Sequence, residues 1–242
     1  MHPIEWLRAI ARSEDLPHAD LASEAAAALA ALADDPLGMV PACRRLLDRH
    51  GEVGPLWWAC ARLLSVDDAE AEARAIRSDL AADQLGLSLA LDLPQGAAVA
   101  LLGWSPLVEE LSERRPDLLI DVLGPEVAGD AEDRFAELGR AAAGVGSTPL
   151  LLIEAWAVGD RSFLGPAWLE DATAAAERAG VETWLLVGVG RRLPEPLFRA
   201  ARKRHGATGG RWHVAARALG VERVSRRVEP LAIACPCPPE LL

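Results

Sequence analysis

The chain has 242 residues, of which 51% are hydrophobic and 25% charged, with a formal net charge of −11. That is enough apolar sequence for a sizeable core and enough length for one large domain or two modest ones. The acidic balance excludes non-specific nucleic-acid binding, which needs a basic surface, but leaves a folded protein partner open. Apolar runs such as residues 150–158 fall far short of the ~20 residues that span a bilayer, so no membrane role is expected. The opening "MHPIEWLRAIARSEDLPHAD" is charged and lacks the apolar core of a signal peptide, which points to a cytoplasmic protein. Four cysteines in a chain this long do not make a disulfide framework.

Residues 1–92 read as a helical domain. Residues 3–11 form a short amphipathic helix, and 21–32 an alanine-rich one that "ADDPLG" ends. Residues 40–50 follow, with Leu46 and Leu47 inward and Arg44, Arg45 and Asp48 outward. Gly51 and Gly54 break the chain before Pro55 opens "PLWWACARLL", where Trp57, Cys60, Ala61 and Leu64 share a face. Residues 67–85 read as one long charged helix, with Ala69, Ala73, Ile76 and Leu80 at helical spacing.

After Asp92 the period changes, and residues 93–242 read as a Rossmann-like α/β domain with a mainly parallel sheet. Residues 97–102 are a buried strand; Ser105 suits a helix N-cap, with Pro106 at the first helical position. "DLLIDVLG" is a second strand, and residues 131–143 a helix. The segment 149–194 organises the rest: a strand over 150–158, a helix opened by Pro166 and stopped by Gly180, and a strand over 182–189. Two buried strands joined by a helix make a βαβ unit and hence a parallel sheet. A basic-ended helix over 196–204, a loop "HGATGG", a short helix over 211–219 and two short strands within 221–234 complete the expectation.

In open α/β sheets ligands sit beyond the carboxyl ends of the strands, which singles out three places. After the first strand come Gly103, Trp104 and Ser105. Glu154 interrupts the third strand near its C-terminal end, Trp156 lies two residues on, and Asp160 follows in the loop; Glu154 and Asp160 are the candidate catalytic carboxylates, as a general base or an acceptor for a ribose hydroxyl. The alternative is a surface pair of Asp160 with Arg161 and a partly exposed Glu154. "VGVGRR" offers Gly188 and Gly190 for close backbone approach and Arg191 or Arg192 for a phosphate; otherwise these are loop or interface charges. Trp104, Trp156 and Trp168 all fall near strand ends, where they either fill the cleft or stack on a planar base; filling is the expectation. Lys203, Arg204 and His205 precede "GATGG", which lacks the Lys-Ser/Thr ending of a P-loop and reads as a solvated loop. Cys235 and Cys237 have no second pair to complete a metal site and read as packing. Ser105 lacks a Gly-x-Ser-x-Gly elbow, and His213 has no partner motif. No cofactor motif and no metal site are read.

The order of segments resembles one family: the alpha, beta and delta subunits of translation initiation factor 2B, with methylthioribose-1-phosphate isomerase and ribose-1,5-bisphosphate isomerase. "GPLWWACARLL", "AAVALLGWSPLVEEL", the segment from "LLIEAWAVGD" to "VETWLLVG", and the closing "CPCPPELL" carry the likeness. The resemblance implies a helical N-terminal domain, a Rossmann-like C-terminal domain, dimerisation or a protein partner, and a small phosphorylated ligand such as a nucleotide or sugar phosphate. It also implies what has been lost. The isomerases' catalytic Cys region falls on Gly103, Trp104 and Ser105, and their catalytic Asp on Trp156. Their phosphate-binding residues fall on Gly165, Pro166, Trp168 and Leu169, and a phosphate-gripping Arg near His50. Isomerisation needs an acid/base pair and a hold on the phosphate, which Trp and Leu do not supply. The expected function is therefore non-catalytic regulation or binding. The alternative is a divergent aldose–ketose isomerase acting on a phosphorylated ribose or thioribose.

Overall fold

The computed structural model describes residues 3–13, 16–33, 36–125, 130–143, 147–207 and 216–242. Among these, the helices α1 (Pro3–Ala11), α2 (His18–Ala30), α3 (Pro36–Arg49), α4 (Gly54–Leu63), α5 (Ala69–Ala81) and α6 (Leu85–Asp92) precede any strand. The alanines of α2 let it lie close against α4 and α5, and Ala22, Ala25, Ala26 and Ala28 are wholly buried. Helix α4 is buried nearly all round, which is how a helix with apolar residues on every side is accommodated. The single face expected for it is therefore too narrow: Trp58 is as buried as Trp57, because a second body of the protein covers that side.

The long helix expected over 67–85 is shorter, Ala69–Ala81, and a separate helix that the sequence reading did not include, α6, begins at Leu85. Asp83 stands at the break, where its carboxylate accepts the Leu85 N–H (3.0 Å) and starts α6 anew. A short acidic side chain competes for backbone donors in this way. Helix α6 then packs on the sheet, its Leu85, Leu89 and Ala90 joining Val99, Leu101, Leu152 and Leu186.

Five strands form the parallel sheet: β1 (Ala98–Leu102), β2 (Leu119–Leu123), β3 (Leu150–Glu154), β6 (Glu182–Leu186) and β8 (Arg226–Val228), in the order β2-β1-β3-β6-β8. Three more, β4 (Ala157–Val158), β5 (Ser162–Pro166) and β7 (Ala216–Gly220), make a small antiparallel sheet in the order β4-β5-β7. Helix α7 (Pro106–Arg114) lies with α6 on one face of the large sheet; α8 (Ala131–Ala143) and α9 (Leu169–Ala179) cover the other. The result is a doubly wound α/β layer with a helical body in front, which is the architecture the sequence leads one to expect.

Four local expectations change. The apolar run 150–158 is not one strand but breaks after Glu154. Ala155 N–H still donates to Leu186 O (2.9 Å), whereas Trp156 N–H donates to Leu164 O (2.8 Å), so the chain passes from one sheet to the other there. Pro166 closes β5 instead of opening a helix, and α9 begins after Trp168. The short helix expected over 211–219 falls partly outside the described residues, and its end is strand β7, paired antiparallel to β5. Pairing with β5 overrides the helical preference of its alanines. In the segment 221–234, Arg226–Val228 is a strand, while Val221–Arg223 is a single 3-10 turn. Gly180 does stop α9 in the left-handed region, at φ 67°.

The main core of the helical body does not end at the start of the sheet. Ala157, Leu164, Val189, Leu193, Leu197, Phe198 and Leu241 are buried in the same cluster as Leu47, Trp57 and Trp58. Helix α10 (Glu195–Ala207) and the closing segment supply several of these contacts.

Candidate functional site

The chain leaves β1 toward β2 on one side and reaches β3 on the other, so the winding of the sheet reverses between β1 and β3. Helices diverge at such a point and leave a crevice beyond the strand ends. Two cavities occupy it, of about 420 Å³ and about 640 Å³, and they share Trp104, Ser105, Glu154 and Trp156. The smaller opens between the ends of β1 and β2, against Trp168 and Pro166. The larger runs forward to His18 on α2 and to Asp83 and Gly86 near α6. Together they form one groove between the helical body and the sheet.

Gly103 shapes the near wall. Its φ of 85° turns the chain off β1, and its N–H donates to Leu123 O (2.9 Å). The Trp168 indole N–H donates to the same carbonyl (3.3 Å). Trp104 stands at the rim, 69% exposed, while Trp156 and Trp168 are half-buried walls. The tryptophans therefore line the cleft instead of filling it. Ser105 has the extended backbone of an N-cap, but its side chain makes no capping bond. Its Oγ is withdrawn from solvent without a hydrogen-bond partner among the described residues.

Glu154 and Arg191 meet at the back of the groove as a largely buried ion pair. Arg191 also donates to Ala155 O (2.5 Å), so one guanidinium fixes both the carboxylate and the turn that follows it. His18 sits edge-on to Trp156, ring centroids 5.5 Å apart. Burial, helped by the neighbouring Arg191 and His50, lowers its pKa to about 3, so the imidazole is neutral near pH 7.

The other expected site residues are placed elsewhere. Gly188 and Gly190 line neither cavity; they bring their loop against the helical body. A Cβ on Gly188 would lie 2.5 Å from an Asp83 carboxylate oxygen, the one that accepts the Val189 N–H at 2.8 Å. A Cβ on Gly190, where φ is 76°, would lie 3.0 Å from the Trp58 ring. Arg192 pairs bidentately with Glu229 (2.7 and 2.6 Å). Asp160 is exposed at the β4–β5 turn, its N–H donating to Glu195 (3.1 Å), and it lines neither cavity. Residues 208–215, including His213 and most of "GATGG", lie outside the described residues. His18, Asp83, Glu109 and Glu110 line the groove unexpectedly. His18 and Asp83 are far from the strand ends in sequence and nothing local marks them, whereas Glu109 and Glu110 sit in the first turns of α7, just after Ser105.

A doubly wound sheet whose switch-point crevice is closed in front by a helical body defines a two-part α/β fold with a groove between its parts. Solved structures with this arrangement include translation initiation factor eIF-2B from Pyrococcus horikoshii, at 12% identity and a TM-score of 0.66 over 93% of this chain and 94% of that one. The tetrameric eIF-2B beta–delta complex from C. thermophilum gives 16% identity and a TM-score of 0.64, covering 93% and 88%. The 5-methylthioribose 1-phosphate isomerase from P. horikoshii gives 12% and 0.52, covering 92% and 81%. At such identities the likeness is one of fold, and it extends to initiation-factor subunits and an isomerase alike. No family profile and no curated protein matches the sequence. Among the described residues, no helix is long and apolar enough to cross a membrane.

Proposed function

We propose that this chain is a non-catalytic binding or regulatory protein, similar in role to the initiation-factor subunits, that assembles with a second copy or another protein and holds a small ligand in the switch-point groove. The observation that carries the reading is the Glu154–Arg191 pair. Among the described groove residues, Arg191 is the one guanidinium available to grip a phosphate, and Glu154 is the carboxylate common to both cavities. Each is already committed to the other. His18, which accepts a proton only near pH 3, is a poor general base at neutral pH. The fold likeness brings nucleotides and sugar phosphates as the first candidate ligands.

The test is direct. Incubation with 5-methylthioribose 1-phosphate or ribose 1,5-bisphosphate, followed by phosphorus NMR, should show no ketose product. Turnover that disappears in Glu154→Gln would overturn the reading in favour of a divergent isomerase. Sedimentation should show a species of at least twice the 25.8 kDa chain mass, alone or with its partner.

A further inference from the structure

The charges around the groove do not suit the phosphorylated ligands that the fold brings to mind. Asp83, Glu109, Glu110 and Glu154 line the larger cavity with one described guanidinium, Arg191; Glu154 pairs with Arg191 and Glu110 with Arg114 (2.9 Å), which leaves Asp83 and Glu109 without an ion pair among the described residues. The smaller cavity has Glu154 as its one charged described residue. An entering phosphate dianion would meet unbalanced negative charge in a partly dehydrated crevice, where such repulsion is poorly screened. The aromatic walls act in the same direction. Trp104, Trp156 and Trp168 line the smaller cavity, and an indole face attracts cations more strongly than any other side-chain ring. Ser105 is an independent sign of a ligand: it lines both cavities, and its Oγ is without a partner among the described residues although it is hidden from solvent. A hydroxyl that can both donate and accept, left unused at the meeting point of two cavities, fits a missing polar group.

We infer that the groove binds an organic cation with an apolar or planar body, an amine or guanidine of small-metabolite size, and not a phosphate ester. The inference rests on the groove being the ligand site, as proposed above, and names the chemistry that site accepts. In such a complex the planar body lies against Trp104 and Trp168, and the charged end turns toward Glu154 and Glu109. Glu109 is exposed and has no ion pair among the described residues, so it is the carboxylate that can turn to a ligand without breaking a described contact.

The experiment uses matched pairs on the full chain. Tryptamine and its neutral counterpart tryptophol differ in one positive charge; AMP and adenosine differ in one phosphate. Binding is followed by tryptophan-independent calorimetry at low and at 0.5 M salt. Tryptamine should bind at least tenfold more tightly than tryptophol, lose that margin at high salt, and weaken roughly fivefold in Glu109→Gln, which alters an exposed side chain and not the fold. Adenosine should bind no more weakly than AMP. AMP binding more tightly than adenosine, with the preference lost in Arg191→Gln, would overturn the cation assignment while leaving the groove as the ligand site. Equal affinity for tryptamine and tryptophol would also overturn it. If a bulky Gly103→Trp substitution leaves the binding of every compound unchanged, the groove is not the site, and the proposed function fails together with this inference.

Discussion

The pair Glu154–Arg191 shows how one contact decides between chemistry and architecture. Their side chains are 20% and 10% exposed, so each charge has given up most of its water and relies on the other. Removing one partner strands a buried charge, at a cost of roughly 3 kcal/mol or more. Arg191→Met should therefore lower the urea midpoint substantially, and Glu154→Gln in the same chain should restore much of the loss; equal loss in single and double variants would deny the coupling. His18 makes a separate, pH-dependent contribution. Its folded pKa lies below the ordinary 6.5, so between about pH 6.5 and 3 the unfolded chain binds the extra proton and the folded one does not. Stability from this group is thus complete above pH 6.5 and is lost as pH falls toward 3. Because His18 is only half-buried, the effect should be on the order of 1–2 kcal/mol, and His18→Gln should flatten that part of the stability curve. An unchanged pH profile in the variant would assign the acid sensitivity to other groups.

At the scale of elements, glycines with the same backbone sign have different work. Gly180 (φ 67°) ends α9 with nothing within 4 Å of a would-be Cβ, so an alanine there meets backbone strain alone, about 1 kcal/mol. Gly190 (φ 76°) adds contact with the Trp58 ring and the Pro55 backbone, so Gly190→Ala should cost clearly more than Gly180→Ala in chemical denaturation. Similar losses would mean that the loop yields freely. Much of the element pattern was legible in the chain: the helical opening, the period change after Asp92, and β1, β2, β3 and β6 all follow from apolar spacing. The errors share a cause. The end of α5 short of residue 85, the break after Glu154 and the strand character of β7 each involve a partner distant in sequence: Asp83 with Val189, Trp156 with Leu164, Ala216 with Pro166. The site was half legible for the same reason. Residues at strand ends (Gly103, Trp104, Ser105, Glu154, Trp156) could be named from topology, whereas His18 and Asp83 enter the groove from another body. The glycine pair Gly188 and Gly190 resembled a ligand cradle because close approach to a helix and close approach to a ligand ask for the same missing side chain.

For the whole molecule, the burial pattern joins what composition divides. Trp58 and Leu56 share a core with Val189, Leu197 and Phe198, and Leu241 of the closing segment is buried in it too. Residues 1–92 and 93–242 remain a useful division by secondary structure, but urea unfolding should follow one transition, with tryptophan fluorescence and circular dichroism coinciding. A fragment of residues 1–92 should not fold by itself, since it would expose the far side of α4. Two resolved transitions, or a stable fragment, would establish independent domains.

The dipeptide Ala155–Trp156 has every backbone hydrogen-bonding group committed to a different part of the protein. Its two N–H groups go to β6 and β5; the Ala155 carbonyl is held by Arg191, and the Trp156 carbonyl accepts the N–H of Gly54 (3.0 Å). Such a four-way junction has no slack. An insertion of one residue between Ala155 and Trp156 would pull one of them out of register with its partners, so it should cost clearly more stability than an insertion in the exposed β4–β5 turn. The spacing between Glu154 and Ala157 is therefore the interval along which this chain is least free to diverge in length, whatever its side chains become.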